Sequence, residues 1–411
     1  MSHKLVIARM NRGTAECLCM VLYRENVPEE LFLFPRRKKS LLGSIYLGQV
    51  EKVSENIGAA FVRISGDQRV YLPLSDSSFA LYKTRKKNTV LRPGDELLVQ
   101  IEKEAMKSKL PRAAARLRLP GKYLVLTAEG PFLNFSRRLA PEEKKRLRKI
   151  FERESSPFGI IARTNAGEAP EEELQKELRE MKVSMEHILT QGICRPWGTC
   201  LYQSAPDWIQ EFSRIPLRSL DRIVTDDPEV MEELDRCLAA SERTPLSVEL
   251  YRDSLLPLYR LYSLEALTDS LLCEKVWMKS GGFLVIQQTE AFAAIDVNTG
   301  KYDGKKNAED TVFLINQEAA AEAARQIRLR QLSGVILIDF INMKREELRR
   351  SLLSQMKQLT AEDPVKTAVI DLTPLDIMEI TRQKERRSLK EQLALLSAGE
   401  REEDSHGTDS I

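Results

Sequence analysis

Histidine is scarce in this sequence and no two cysteines stand at Cys-x-x-Cys spacing. Of three histidines in 411 residues, His3 and His406 lie near the ends, and His187 sits in a stretch dense with Glu and Lys that suits a solvated side chain. A nucleophilic triad built on histidine therefore has no candidate base. Six cysteines (Cys17, Cys19, Cys194, Cys200, Cys237 and Cys273) are scattered without a Cys-x-x-Cys spacing. They read as free thiols, mostly buried as packing residues, and supply no zinc site. No run approaches the roughly 20 apolar residues that a membrane span needs. The beginning, MSHKLVIARMNRG, is too short and too polar for a signal peptide, so a cytoplasmic location is expected. Hydrolytic chemistry, if present, has to rest on carboxylates and a metal.

What the chain does have is length and charge. At 411 residues, 42% hydrophobic and 30% charged, it is expected to fold as roughly two to four globular domains. The net charge is only +2, but residues 81–118 carry eleven Lys or Arg against four acids. Such a run is usually a solvated face, and it becomes a nucleic-acid signal only where the fold supports it.

Along the chain, residues 4–35 alternate apolar stretches with turns and read as strands. From Gly43 the pattern is short β (GSIYLGQVEKV, AAFVRI, VYLPLS, DELLVQIEKE) punctuated by Gly48, Gly58, Gly66 and Pro93-Gly94, as in a small oligonucleotide-binding (OB) β-barrel. Residues 121–205 mix strands (YLVLTAEG, FGIIART) with helices (PEEKKRLRKIFERE and the segment ending in EHILTQ). After Pro206 a second mixed region follows. The last third holds β-branched runs typical of buried strands: GGFLVIQQ, AFAAIDVN, GVILIDFINM and KTAVIDL. Between them a long helix is expected from Asn307, its N-cap, to Leu332, and another from about Arg345 to Thr360. Strand–helix–strand alternation predicts a layered α/β catalytic domain. The tail from about Ser397 is polar, acidic and expected to be disordered.

Two of these strands end in an acid. The apolar run of FAAIDVNTG stops at Asp296, with Asn298 on the same face two residues on, and that of GVILIDFINM stops at Asp339. One such Asp would ordinarily start a turn or cap a helix. Two, each closing a wholly apolar strand, suit magnesium, which often takes one or two protein carboxylates and keeps several waters, with the Asn298 amide orienting those waters. Asp371 in TAVIDL is a third, ordinary candidate. The segment joining the pair carries Lys301, Lys305, Lys306, Arg325, Arg328 and Arg330, a charge that fits a phosphodiester substrate. In the barrel, Phe61 and Tyr71 stand on neighbouring strands and are read as a platform for unpaired bases, with Lys109 and Arg112 following the backbone. For Phe61 taken alone, a place in the barrel core is an equal expectation.

The segment AFAAIDVNTGKYDGKKNAEDTVFLINQEAAAEAARQIRLRQLSGVILIDFINM closely resembles the signature of the ribonuclease E/G family. The similarity runs through most of the chain. GSIYLGQVEKVSENIGAAFVRI with YLPLS resembles that family's S-one-type RNA-binding module, and Phe61, Tyr71 and Lys109 fall where the family contacts RNA. GKYLVLTAEG, FSRR and GIIARTNAG resemble its 5′-sensor subdomain. The resemblance implies α/β and α+β parts in a multidomain chain. Residues 1–39 and 206–280 would form an RNase H-like subdomain interrupted by the barrel (40–118) and the 5′ sensor (119–205). A DNase I-like catalytic subdomain (281–385) and a C-terminal helix with a disordered tail (386–411) would follow. It implies Asp296 and Asp339 as Mg2+ ligands supported by Asn298, Arg163 and Thr164 as contacts to a 5′-monophosphate, and hydrolysis leaving a 5′-phosphate. The expected activity is endonucleolytic cleavage of single-stranded RNA in rRNA and mRNA processing and decay, favouring 5′-monophosphorylated ends. A non-catalytic RNA-binding or ribosome-associated protein and a DNA nuclease are the competing classes. The family's Cys-Pro-x-Cys zinc link has no counterpart in TRQKERRSLKEQLALLSAGEREEDS, so a homo-oligomer, if formed, would not be zinc-bridged.

Overall fold

The structure, a computed structural model, describes residues 3–36, 41–84, 90–103, 110–152, 156–238, 246–300 and 308–396. The chain divides into two compact units, residues 38–219 and the remainder. The second unit begins with three antiparallel strands, β1 (His3–Arg12), β2 (Ala15–Arg24) and β3 (Val27–Pro35). Glu25 and Asn26, at φ of 49° and 66°, make the tight β2–β3 turn, the geometry that matches the twist of a two-residue hairpin.

The 38–219 unit holds a closed five-stranded barrel of β4 (Ile45–Ser54), β5 (Ala59–Ser65), β6 (Gln68–Pro73), β7 (Glu96–Lys103) and β8 (Arg112–Ala114). Its order is β4-β5-β6-β8-β7, with β7 returning to pair with β4, as expected for an OB-type barrel. Val62, Ile64, Val70, Leu72, Leu97 and Val99 fill the interior. A Cβ at Gly48 would lie 2.5 Å from Val62 Cγ1, so glycine lets β4 pass close to β5. Then come β9 (Arg118–Pro120), β10 (Leu124–Thr127), β11 (Leu133–Phe135), α1 (Pro141–Phe151), β12 (Gly159–Ala162) and α2 (Glu171–Thr190). Their sheet, ordered β11-β12-β10-β9, packs on α2 through Leu174, Leu178, Met181 and Met185. β13 (Cys200–Tyr202) pairs with β4, and α3 (Asp207–Phe212) follows.

Back in the other unit, β14 (Arg222–Thr225), α4 (Pro228–Leu238) and β15 (Ser247–Leu250) extend the first sheet as β15-β14-β1-β2-β3. After α5 (Leu258–Leu261) and α6 (Leu264–Ser270) comes a second sheet. Its strands are β16 (Lys275–Trp277), β17 (Phe283–Gln288), β18 (Phe292–Asn298), β19 (Gly334–Asp339), β20 (Thr367–Leu372) and β21 (Ile377–Arg382), with helices α7 (Ala308–Leu329) and α8 (Glu346–Ala361). The order is β16-β17-β18-β19-β21-β20, with β18 and β19 parallel and joined through α7. Buried Ala319, Ala320, Ala323 and Ala324 let α7 lie close against β17 and β18. Asn307, the expected N-cap, and the tail from 397 lie outside the described residues. Residues 389–396 are helical.

Two expectations need correction. The β-branched runs read as buried strands, but the helices cover one face only: Phe292 and Val335 on the other are 39% and 45% exposed. The cysteines are not mostly buried, for only Cys17 and Cys19 are, while Cys194, Cys200 and Cys273 are exposed. His187 is solvated as expected, and no helix among the described residues is long and apolar enough to cross a membrane.

Candidate functional site

Asp296 and Asp339 are direct register partners on the adjacent parallel strands β18 and β19. Ala293, Ile295 and Val297 of β18 and Ile336 and Ile338 of β19 point into the core, so strand alternation sends both aspartates to the open face at the strands' C-terminal ends. Both are solvent-exposed, and among the described residues neither is ion-paired. Asn298, next on the same face of β18, donates from Nδ2 to Asp296 Oδ2 at 2.7 Å. Partial desolvation raises the Asp339 carboxyl from its ordinary value, and the charges of Asp296 and Asp376 push it the same way.

The chain beyond Asp339 is pinned by two residues that sequence reasoning missed. Asn316 of α7, fully buried, donates to the Ile341 carbonyl at 2.8 Å and accepts its N–H at 3.1 Å. Asp376, at φ +59° in the turn between β20 and β21, accepts the Met343 N–H at 3.0 Å and pairs with Arg349 Nε at 2.9 Å. Two clamps on residues 341–343 fix where β19 stops, and so where Asp339 points. Asn316 could have been noticed as a lone amide on an otherwise apolar helix stripe. Asp376, in TPLD, carries no signal beyond a turn. Asp371 stands apart, opposite Glu379 on the edge strand β20, level with Leu337 rather than Asp339.

The described basic residues of the connecting segment, Arg325, Arg328 and Arg330, are not gathered at this pair. Lys301, Lys305 and Lys306 lie outside the described residues. Arg325 donates to Glu322 and the Pro28 carbonyl, Arg328 pairs with Glu29, and Arg330 is buried and bonded to Gln326. All three sit where α7 ends and β19 begins, about 17 Å along the strand from Asp339. They hold α7 in place.

On the barrel, Phe61 and Tyr71 are register partners across β5 and β6, and Tyr71 is in turn level with Arg112 of β8. Their sequence neighbours Val62, Val70 and Leu72 occupy the interior, so these side chains lie on the outside and half-buried Phe61 is not barrel core. Lys52 and Lys103 extend the same row at its two ends. Arg112 pairs with Glu102 at 3.1 Å, while Lys109 lies outside the described residues. Part of the basic run is neutralised locally, by Lys83 with Glu96 and by Arg116 and Arg118 with Glu129.

Arg163 closes β12, donating its backbone N–H to the Tyr123 carbonyl and its guanidinium to the Gly121 carbonyl and, at 3.3 Å, to Ser213 Oγ. Burial, with Arg214 nearby, pushes its guanidinium down to about 10. Thr164 Oγ1 lies 2.9 Å from Ser136 Oγ, which joins the FSRR and ARTNAG segments in one place. Glu177 of α2 accepts the N–H groups of Tyr123 and Leu124, each at 2.9 Å, and fixes the strand beside Arg163.

Known proteins share this sequence along most of its length. The sequence model of the Ribonuclease E/G family matches residues 118–385. Ribonuclease G of Salmonella typhimurium (strain SL1344) is 31% identical over 377 residues, 88% of this chain and 76% of that protein. Ribonuclease G of Haemophilus influenzae is 29% identical over 395 residues, 90% of this chain and 78% of its own. Ribonuclease E of Synechocystis sp. is 30% identical over 401 residues, 95% of this chain, which spans only 58% of that relative. With its closed five-stranded barrel and its aspartate-ended parallel strands, the chain belongs to the ribonuclease E/G family.

Proposed function

We propose that this protein is an endoribonuclease of RNA processing and decay that hydrolyses single-stranded RNA with magnesium, leaving a 5′-phosphate. The observation that carries this reading is the direct opposition of Asp296 and Asp339 at the ends of adjacent parallel strands. Two exposed carboxylates one strand apart, without a cationic partner among the described residues, are a repulsive arrangement that a hard dication relieves. Asp296 and Asp339 would hold the ion, which when bound supplies Lewis-acid charge at the phosphate and water of lowered pKa. Asn298 holds one Asp296 oxygen by hydrogen bond and so sets that carboxylate's rotation. The cytoplasmic setting and the division into RNase H-like, S-one-type, 5′-sensor and DNase I-like parts go with this reading.

The 5′ end is read, in this proposal, by Arg163 and Thr164. A guanidinium that burial and a neighbouring arginine disfavour, more than Glu177 and Glu211 offset, would gain from the charge of a terminal phosphate, and the Thr164 hydroxyl would add a hydrogen bond. The test is incubation with short AU-rich single-stranded RNA carrying a 5′-monophosphate or a 5′-hydroxyl, with and without Mg2+. Cleavage is expected only with the ion, and the monophosphate substrate should be cut roughly 10- to 150-fold faster in kcat/KM, the worth of one charged hydrogen-bonded contact. Arg163→Ala should erase that difference and leave the rate on the hydroxyl substrate unchanged. Equal rates on both ends with the unmodified protein would remove the sensor from the reading, and metal-independent cleavage would remove the magnesium.

The outward row on the barrel makes a separate expectation. If Phe61 and Tyr71 stack on bases, alanine at either weakens RNA binding by about 1–3 kcal/mol, and Arg112→Ala lowers the salt dependence of binding by roughly one phosphate contact. Fluorescence anisotropy over a salt series reads both. A sharp loss of thermal stability in Phe61→Ala with unchanged affinity in Tyr71→Ala would show that the rings serve packing instead.

A further inference from the structure

The open face of the catalytic sheet has an aromatic end. Register carries one row across the sheet through Lys275, Val285, Asp296 and Asp339, and the next through Trp277, Phe283 and Asn298. Directly paired residues share a face, so Trp277, Phe283 and Lys275 stand on the same surface as the two aspartates. Trp277 and Lys275 are two strands, about 10 Å, from Asn298 and Asp296, with Phe283 and Val285 on the strand between. Trp277 is 64% exposed and so adds little to the core. Its ring centroid lies 5.2 Å from that of Phe283, with an interplanar angle of 59°. The Lys275 ammonium lies 4.0 Å from the Trp277 centroid and 3.7 Å from that of Phe283.

We propose that Trp277, set by Phe283 and Lys275, is a base-stacking subsite for an unpaired nucleotide close to the cleaved phosphodiester. The proposal rests on the nuclease reading above and adds to it a substrate contact on the catalytic sheet itself. Folding alone gives no reason to leave an indole in water, whereas an indole face accepts any unpaired base. Phe283 abuts the ring and the ammonium attracts it by a cation–π contact of about 0.5–1 kcal/mol, so its orientation is biased before a base arrives. Charge along the row selects the occupant. A cation stands at one end and the carboxylate pair at the other. A strand whose scissile phosphate sits at the metal-holding aspartates can thus lay a further phosphate at Lys275 and a base on Trp277. The span of about 10 Å corresponds to roughly three stacked nucleotides at ~3.4 Å each, and to fewer in an extended strand. Trp277 touches the substrate away from the reacting atoms, so its removal should be felt in binding rather than in turnover.

The experiment uses the full chain in two forms. In an Asp339→Asn background, where the strand stays intact, the affinity for short labelled AU-rich single-stranded RNA is measured by anisotropy. Trp277→Ala should weaken it roughly 5- to 150-fold and Trp277→Phe much less, with melting temperatures unchanged. In the cleaving protein, Trp277→Ala should raise KM by a similar factor and leave kcat within about twofold. Substrates with a single abasic site, moved one position at a time, should show one position where the unmodified protein loses affinity and the Trp277→Ala protein loses nothing further. Unchanged Kd and KM in Trp277→Ala overturn the proposal. So does a change of mass in solution on substitution, which would assign the face to a second copy of the chain. A protein that binds RNA through Trp277 but cuts nothing refutes the nuclease reading and leaves the subsite standing, while cleavage with a KM indifferent to Trp277 does the reverse.

Discussion

Asn in place of Asp296 or of Asp339 should lower the rate of RNA cleavage by about a thousandfold or more, while fold and RNA affinity persist. The change keeps the shape of the side chain and removes one negative charge from the pair that would hold the ion. A thousandfold corresponds to about 4 kcal/mol of lost transition-state stabilisation, a reasonable share for one of two ligands to a catalytic metal. The structure also predicts the sign of the accompanying stability change. Burial and the charges of Asp296 and Asp376 already disfavour the ionised Asp339 carboxylate. Removing either charge from adjacent strands takes away a repulsion, so neither variant should melt lower in the absence of metal. At position 296 the amide oxygen of Asn can still accept from Asn298 Nδ2. Loss of activity with an intact melting temperature and intact anisotropy is therefore the expected combination. Near-normal turnover in either variant would end the two-aspartate site and favour a protein that only binds RNA.

How much of this was legible in the sequence depended on whether the signal was local. Asp296 and Asp339 stood out because each closes an apolar strand, and a strand's end is visible in the sequence without knowing its neighbours. The barrel was legible because alternation and glycine punctuation are also local. What no sequence pattern carries is which residues come level across a sheet. Nothing in KVWM and GGFLVIQQ says that Trp277, Phe283 and Asn298 share a row, since that follows from the register of three strands. The apolar runs of β17 to β19 read simply as buried strands, because hydrophobic continuity cannot tell one covered face from two. The helix arginines misled for the opposite reason. Sequence proximity to the aspartates suggested a shared site, but α7 runs back along the sheet and delivers Arg325, Arg328 and Arg330 to its far end. Asn316 and Asp376 act through backbone groups of residues 341–343, and a backbone partner has no sequence signature at all.

That far end is held by a buried ion pair, and breaking it should produce the largest loss of stability. Arg382, the last residue of β21, and Asp363, between α8 and β20, have side chains only 3% exposed. The guanidinium meets the carboxylate through Nε at 2.8 Å and through a terminal nitrogen at 3.1 Å, and its other terminal nitrogen donates to the Leu332 carbonyl at 3.0 Å. Asp363 also accepts the Val365 N–H and the Thr367 hydroxyl, each at 2.9 Å. One carboxylate thus ties the loop after α8 to β21, and through Arg382 to the end of α7. Asp363→Ala leaves a guanidinium in the interior without its counter-charge, at an expected cost of about 3–5 kcal/mol, or roughly 150- to 5,000-fold in the folding equilibrium. Arg382→Ala strands the carboxylate and should cost about the same. Replacing both, as in Asp363→Leu with Arg382→Met, removes the desolvated charges together and should restore much of the loss. Urea-denaturation midpoints compared at unchanged slope measure all three variants. Gly334 and Thr367 are the register neighbours of Arg382, at the opposite end of the sheet from Asp339. Cleavage per folded molecule should therefore be unchanged in the variants below their transition. A loss under about 1 kcal/mol in both single variants would mean that water reaches the pair and screens it.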